Sequence, residues 1–265
     1  MSAEREGALY KVTVSVDGQS APIYVTLDGK YAVPQPIPLS DDAPRNNDQQ
    51  PPVQQDIPKS DKPKVELFVM SHCPYGTQME KGILPVVALL KDKIDFKVKW
   101  VYYVMHGKKE VDEQVAQYCI QKNENSKYLT YLQCFLNASD SAGCLKQAKI
   151  DQTKLNKCIN ETDKLYNITK NFNDQSSYLS GQFPLFDIDK VDNDKYGVGG
   201  SPTLVINGVD AQVSRSPATL LSAVCGAFNS APSECSKELS AASPSPGFGY
   251  NTQSGADTAA ANCGF

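Results

Sequence analysis

Chemistry in this chain rests on few side chains: eight cysteines and two histidines among 265 residues. Cys73 is set apart by its surroundings, V-E-L-F-V-M-S-H before it and P-Y-G after it. Val65 to Met70 is an apolar run with little alternation, which suits a strand buried on both faces. Pro74 belongs in the first turn of a helix. The thiol is thereby placed at a helix N-terminus, where unpaired N–H groups and the positive end of the helix dipole favour the nucleophilic thiolate. Far downstream, Gly200 to Gly208 reads G-S-P-T-L-V-I-N-G. A proline opening a strand after two glycines is a candidate cis peptide, at Ser201-Pro202.

The elements that position these residues follow from periodicity. A helix from Cys73 to about Leu90 carries Met79, Ile83, Val86, Val87 and Leu90 on one face, with a kink at Pro85. A strand between Asp92 and Met105 follows, and a right-handed β-α-β crossover makes it parallel to the first. The carboxyl ends of the two strands then share one edge of the sheet, which brings His72 and His106 beside Cys73 and Met105. From Gly107 to Asp194 the pattern is helical, with apolar faces at Val111, Val115 and Cys119, at Leu129, Leu132, Phe135 and Leu136, and at Leu155, Cys158 and Ile159. Asp187, Asp189, Asp192 and Asp194 read as a solvated acidic connector. Thr203 to Ile206 and Ala211 to Val213 form a hairpin through Asn207-Gly208. Ser216-Pro217 caps the last helix, Ala218 to Phe228.

Together, the Cys73-Pro74-Tyr75-Gly76 helix start and the Ser201-Pro202 strand resemble the thioredoxin superfamily, most closely its DsbA-like branch. The resemblance implies an α/β, thioredoxin-like fold with a helical insertion at 107–180 inside a domain spanning 63–238. It also implies a thiol-disulfide oxidoreductase in which Cys73 is the nucleophile. Pro202 would shape the face on which substrate backbone docks and Thr203 would pair with it, while His72, Pro74, Tyr75, Gly76, Ser201 and His106 support the site. One departure is plain: Gly76 stands where a dithiol enzyme carries its resolving cysteine. Such a C-x-x-G site favours monothiol reductase or isomerase chemistry on protein or peptide disulfides, with an external reducing thiol and no cofactor.

Residues 1–37 read as an amino-terminal β meander module: Leu9 to Val16, Ala21 to Leu27 and Lys30 to Val33, punctuated by Asp17-Gly18 and Asp28-Gly29. Its phrase I-Y-V-T-L-D-G-K-Y is similar to the amino-terminal module of some bacterial disulfide isomerases. A Pro-rich linker at 38–62 buries too little to order itself. Residues 239–265, rich in Ser, Ala, Gly and Pro, read as a disordered tail that ends near Cys263.

Cys119, Cys134, Cys144 and Cys158 resemble the cysteine-rich insertion of lysosomal thiol reductases and lack zinc-site spacing. Of their three possible connectivities, Cys134 with Cys144 and Cys119 with Cys158 is favoured, and Cys225 with Cys235 is near enough to bridge. Cys73 is expected free or capped by a small thiol. That leaves Cys263, whose tail, about 28 residues past Cys235, would reach roughly 30 Å as a coil and so could visit Cys73. Disulfides point to an extracytoplasmic compartment. No signal peptide opens the sequence and no apolar run spans a bilayer, so a leader or membrane anchor would lie upstream of this chain. A net charge of −4 with no basic stripe argues against nucleic acid.

Two other readings use the same residues. His72, Cys73, Met105 and His106 form a soft donor set suited to Cu(I). Alternatively, the groove beside Pro202 serves a redox-inactive chaperone or adaptor.

Overall fold

The computed structural model describes residues 2–6, 9–16, 19–33, 56–250 and 263–264. The chain divides into two units, Met1–Gln54 and Gln55–Phe265, each with its own internal contacts.

The first unit is an antiparallel meander of β1 (Ser2–Glu6), β2 (Leu9–Val16), β3 (Gln19–Thr26) and β4 (Ala32–Val33). The sequence suggests three strands here. The fourth, β1, is polar S-A-E-R-E, so it carries no hydrophobic alternation to announce it, yet it pairs along its whole length with β2. Most of the linker expected at 38–62 lies outside the described residues. Its end does not: Ser60 N–H donates to Ala227 O and Asn229 N–H donates to Ser60 O, which ties the linker's end to the region after the last helix.

In the second unit the sheet has the order β6-β5-β8-β9. Strand β5 (Lys64–Val69) leads into α1 (Pro74–Leu90) and returns as β6 (Asp95–Trp100), parallel to β5. Val65, Leu67 and Val69 pack into the main core with Ile83, Trp100 and Phe135. Phe68 and Met70 join a second cluster with Cys73, Tyr103 and Val205. This alternation is the period of a strand covered on both faces. Between these lies Glu66, fully buried, its carboxylate 2.7 Å from the Lys99 and 2.9 Å from the Lys64 ammonium groups. Burial works to raise its pKa, but Lys99, Lys64 and the Tyr196 hydroxyl outweigh burial and hold it below the usual range.

Beyond Trp100 the chain leaves the strand earlier than its apolar run suggests, because other groups satisfy the backbone. Val104 N–H donates to Pro184 O, Phe186 N–H to Tyr102 O, and Tyr102 N–H to the Asn193 side chain. The Trp100 N–H donates to Asp189, so the segment read as a solvated acidic connector includes a partly buried, hydrogen-bonded carboxylate.

The helical insertion comprises α2 (Lys108–Asn123), α3 (Asn125–Ala138), α4 (Ser141–Gln147), α5 (Gln152–Tyr166) and α6 (Ile168–Asn173). A Cys119–Cys158 disulfide joins α2 to α5, and Cys134–Cys144 joins α3 to α4. Helix α7 (Lys190–Tyr196) then leads to β7 (Gly200–Ser201), β8 (Thr203–Ile206) and β9 (Val209–Asp210). The β8–β9 hairpin turns on Asn207 and Gly208, both at positive φ (47° and 88°). A two-residue turn of this kind starts the partner strand immediately, which is why β9 begins at Val209 and not at Ala211. Helix α8 (Pro217–Gly226) is capped by Ser216, whose Oγ accepts from Thr219 N–H, and Cys225–Cys235 fixes the segment behind it. This is a thioredoxin-like α/β fold with a helical insertion between β6 and β7. Among the described residues no helix is long and apolar enough to cross a membrane.

The stretch read as a disordered tail is packed as far as Tyr250. Lys81, buried on α1, donates its ammonium to the Gly247 and Gly249 carbonyls at 2.8 Å each, and the Gln78 amide donates to Pro244 O. In return, Gly247 N–H donates to Pro74 O and Gly249 N–H to Leu136 O. Phe248 lies edge-on to His72 and Phe135. Composition conceals this because a Pro- and Gly-rich segment supplies backbone acceptors, while the donors it satisfies belong to another element.

Candidate active site

Cys73 is the N-cap of α1. Its Sγ lies 3.4 Å from Gly76 N–H, and its carbonyl accepts from Thr77 N–H. Pro74 occupies the first helical position. Gly76 faces the other half of the site: a Cβ there would fall 2.6 Å from Ser201 Oγ and 3.1 Å from Met70 O. Ser201 Oγ is already engaged, accepting from Met70 N–H at 2.8 Å. That bond ties the end of β5 to the loop before Pro202, and the Ser201–Pro202 peptide is cis. Thr203 Oγ1 donates to Gly200 O. Tyr75 packs under the Arg215 guanidinium, 5.4 Å from its ring centre.

The first turns of α2 fasten the loop that carries Cys73. Glu110, fully buried, accepts from Met105 N–H and His106 N–H on one oxygen, and from His72 N–H and the His106 ring on the other. Gln114 accepts from Ser71 N–H. His72 is held neutral at physiological pH. Burial lowers its pKa to about 4, with Glu110 opposing and Lys109 and His106 adding to the shift. It therefore brings no positive charge to the thiolate.

The sulfur of Cys73 is not free. It forms a disulfide with Cys263, at an S–S distance of 2.10 Å and a Cα–Cα distance of 6.1 Å. Among the described residues no cysteine is free. The expectation of a free or capped Cys73 is therefore corrected. Folding of the segment up to Tyr250 onto α1 and α3 shortens the tether to Cys263, which the sequence alone measures from Cys235. Residues Cys263 and Gly264 form a short strand, β10, antiparallel to β7, with Cys263 opposite Ser201 and Gly264 opposite Gly200. Cys73 is fully buried beneath this strand, whereas Cys263 is partly exposed.

The copper-binding set is not assembled in this state. Cys73 Sγ is bonded to Cys263, the His106 ring is paired with Glu110, and Met105 is exposed. Among the described residues no group of three or more His, Cys, Asp or Glu side chains converges as a metal site.

Sequence reasoning missed Glu110, the Tyr103 hydroxyl, which donates to Gly199 O at 2.7 Å, and the role of Gly264. The Gly199-Gly200 pair is the one signal that pointed toward a close backbone approach at this place.

No family model matches the chain, and no curated protein matches it. Solved structures do. The reduced DsbA of Mycobacterium tuberculosis is 17% identical, with 67% of this chain and 93% of that chain covered at a TM-score of 0.45. The oxidised BdbD of Bacillus subtilis is 17% identical, covering 58% and 82% at 0.41. MdbA of Actinomyces oris, a thiol-disulfide oxidoreductase, is 12% identical, covering 64% and 84% at 0.40. At these identities and scores the likeness carries no functional information.

Proposed function

We propose that this protein is a thiol-disulfide oxidoreductase acting on protein or peptide disulfides, with Cys73 as nucleophile and Cys263 as the second thiol of its redox couple. The observation that carries the reading is the Cys73–Cys263 disulfide, seated on the strand before cis-Pro202 with Cys73 at a helix start. In the reduced enzyme Cys73 thiolate attacks a substrate disulfide. A Cys73–substrate S–S bond forms and one substrate thiolate leaves, taking a proton from water. Cys263 thiolate then attacks Cys73 Sγ, re-forming the internal disulfide and releasing the second substrate thiol, so the substrate gains the two electrons that the couple loses. A low-molecular-weight thiol returns the couple to the dithiol. Run in reverse, the same steps oxidise a substrate dithiol. A thiolate stabilised at the helix start is a good leaving group, which assists that direction. The monothiol cycle suggested by C-x-x-G, reductive or isomerising, is the case in which Cys263 stands aside and the external thiol resolves the mixed disulfide. Four disulfides among the described cysteines support an extracytoplasmic, oxidising compartment.

Turnover of a disulfide-bonded peptide, followed by chromatography, tests this reading. Cys73→Ser is expected to abolish it. Cys263→Ser should accumulate the Cys73–peptide mixed disulfide, resolved only on addition of external thiol. Turnover unchanged in Cys73→Ser would reject Cys73 as the nucleophile, and turnover of neither protein above the protein-free rate would leave a redox-inactive adaptor.

A further inference from the structure

Resting on the reading that Cys73 exchanges disulfides, the groove also discloses which peptides it accepts. Gly264 occupies the place of the residue that follows a reacting cysteine. At φ 142° it lies in backbone space that L side chains rarely adopt. A Cβ there would meet Gly200 Cα at 2.5 Å, Gly199 O at 2.7 Å and Tyr103 Oη at 2.7 Å. None of these atoms is the free end of a flexible chain, because the Tyr103 hydroxyl is fixed by its hydrogen bond to Gly199 O and the tyrosine is fully buried. The opposing wall is equally tight, since a Cβ on Gly200 would fall 2.6 Å from Cys263 O. Two backbones thus meet glycine to glycine, with the reacting sulfur one residue away.

We infer that this subsite, floored by Gly199, Gly200 and Tyr103, selects extended peptides in which glycine directly follows the reacting cysteine, and that Cys263-Gly264 is its built-in occupant. Substrate enters by replacing β10 on the edge of β7, an antiparallel strand addition in which backbone pairing supplies affinity and side-chain room supplies specificity. While β10 is in place Cys73 is sealed. The low-molecular-weight thiolate that reduces the couple therefore attacks the sulfur of the partly exposed Cys263, forming a bond to it and expelling Cys73 as thiolate, which opens the groove.

The test uses the full chain carrying Cys263→Ser, reduced, with two synthetic peptides, Ala-Asn-Cys-Gly-Phe and Ala-Asn-Cys-Ala-Phe, each activated as the mixed disulfide with thionitrobenzoate. Cys73 thiolate attacks the peptide sulfur, the Cys73–peptide bond forms, and thionitrobenzoate leaves and is read by its colour. The Cys-Gly peptide is expected to react roughly tenfold faster, the discrimination that overpacking by one methyl group brings. Tyr103→Phe, which removes one of the three atoms of the floor, should narrow the ratio. Equal rates for the two peptides would overturn the subsite while leaving the enzyme reading intact. Failure of Cys73 to react even with the symmetrical dinitrobenzoate disulfide, a small probe with no such residue, would overturn both. In the otherwise unchanged chain, Gly264→Ala is expected to lower the Cys73–Cys263 equilibrium constant in a dithiothreitol redox buffer by roughly tenfold. An unchanged constant would likewise reject the subsite.

Discussion

His72 shows how a residue beside the reacting thiol can matter without touching the chemistry. Its ring lies edge-on to Phe135 and Phe248 and is held neutral down to about pH 4 by burial. In the unfolded chain it would titrate near 6.5. Between these values the unfolded state binds a proton that the native state refuses, so stability falls as pH drops through this window. Asp189 opposes it. Burial raises its carboxyl to about 6, against the Trp100 N–H and Lys99, so the native state takes up that proton more readily as pH drops below 6. Thermal melts between pH 7 and pH 4 are expected to show a shallower acid loss in His72→Gln than in the parent, and parallel curves would refute the assignment. His72 directly precedes Cys73 in the sequence, but its charge state is not legible there. That depends on Phe135, Phe248 and Glu110, which come from three other parts of the chain.

Elements, more than single residues, decide how far the site can be read in advance. Strand β5, helix α1 and the strand after Pro202 carried their own signals: a two-faced apolar run, Pro74 at the helix start, and two glycines before a proline. Segment 239–250 carried none. It is held by Lys81 and Gln78 on α1, whose polar side chains point into protein. Burial lowers the Lys81 pKa, and the carbonyls of Gly247 and Gly249 are what the ammonium has in exchange for water. Lys81→Met should therefore loosen the segment selectively. The Gly247 and Gly249 amides are expected to lose hydrogen-exchange protection, with the amides of β5 unchanged. Loss of protection throughout the sheet would mean instead that Lys81 supports the whole fold. Because this segment leads toward Cys263, the same substitution should make the Cys73–Cys263 disulfide easier to reduce than the other three.

At the scale of the molecule, the two units differ in what they can bury. Residues 55–265 hold a two-sided sheet, eight α-helices among the described residues and a continuous core from Val65 to Phe228. In the first unit a small meander is described, and among its described side chains Tyr24 is the buried apolar one. A domain of about 60 residues or fewer is marginal alone, because it buries a smaller share of its surface than a larger one. Expressed separately, residues 56–265 are expected to melt cooperatively and to retain the Cys73–Cys263 couple. Residues 1–54 alone at micromolar concentration should show no cooperative transition by circular dichroism. A cooperative melt of 1–54 whose midpoint rises with concentration would show instead that the meander is completed by self-association.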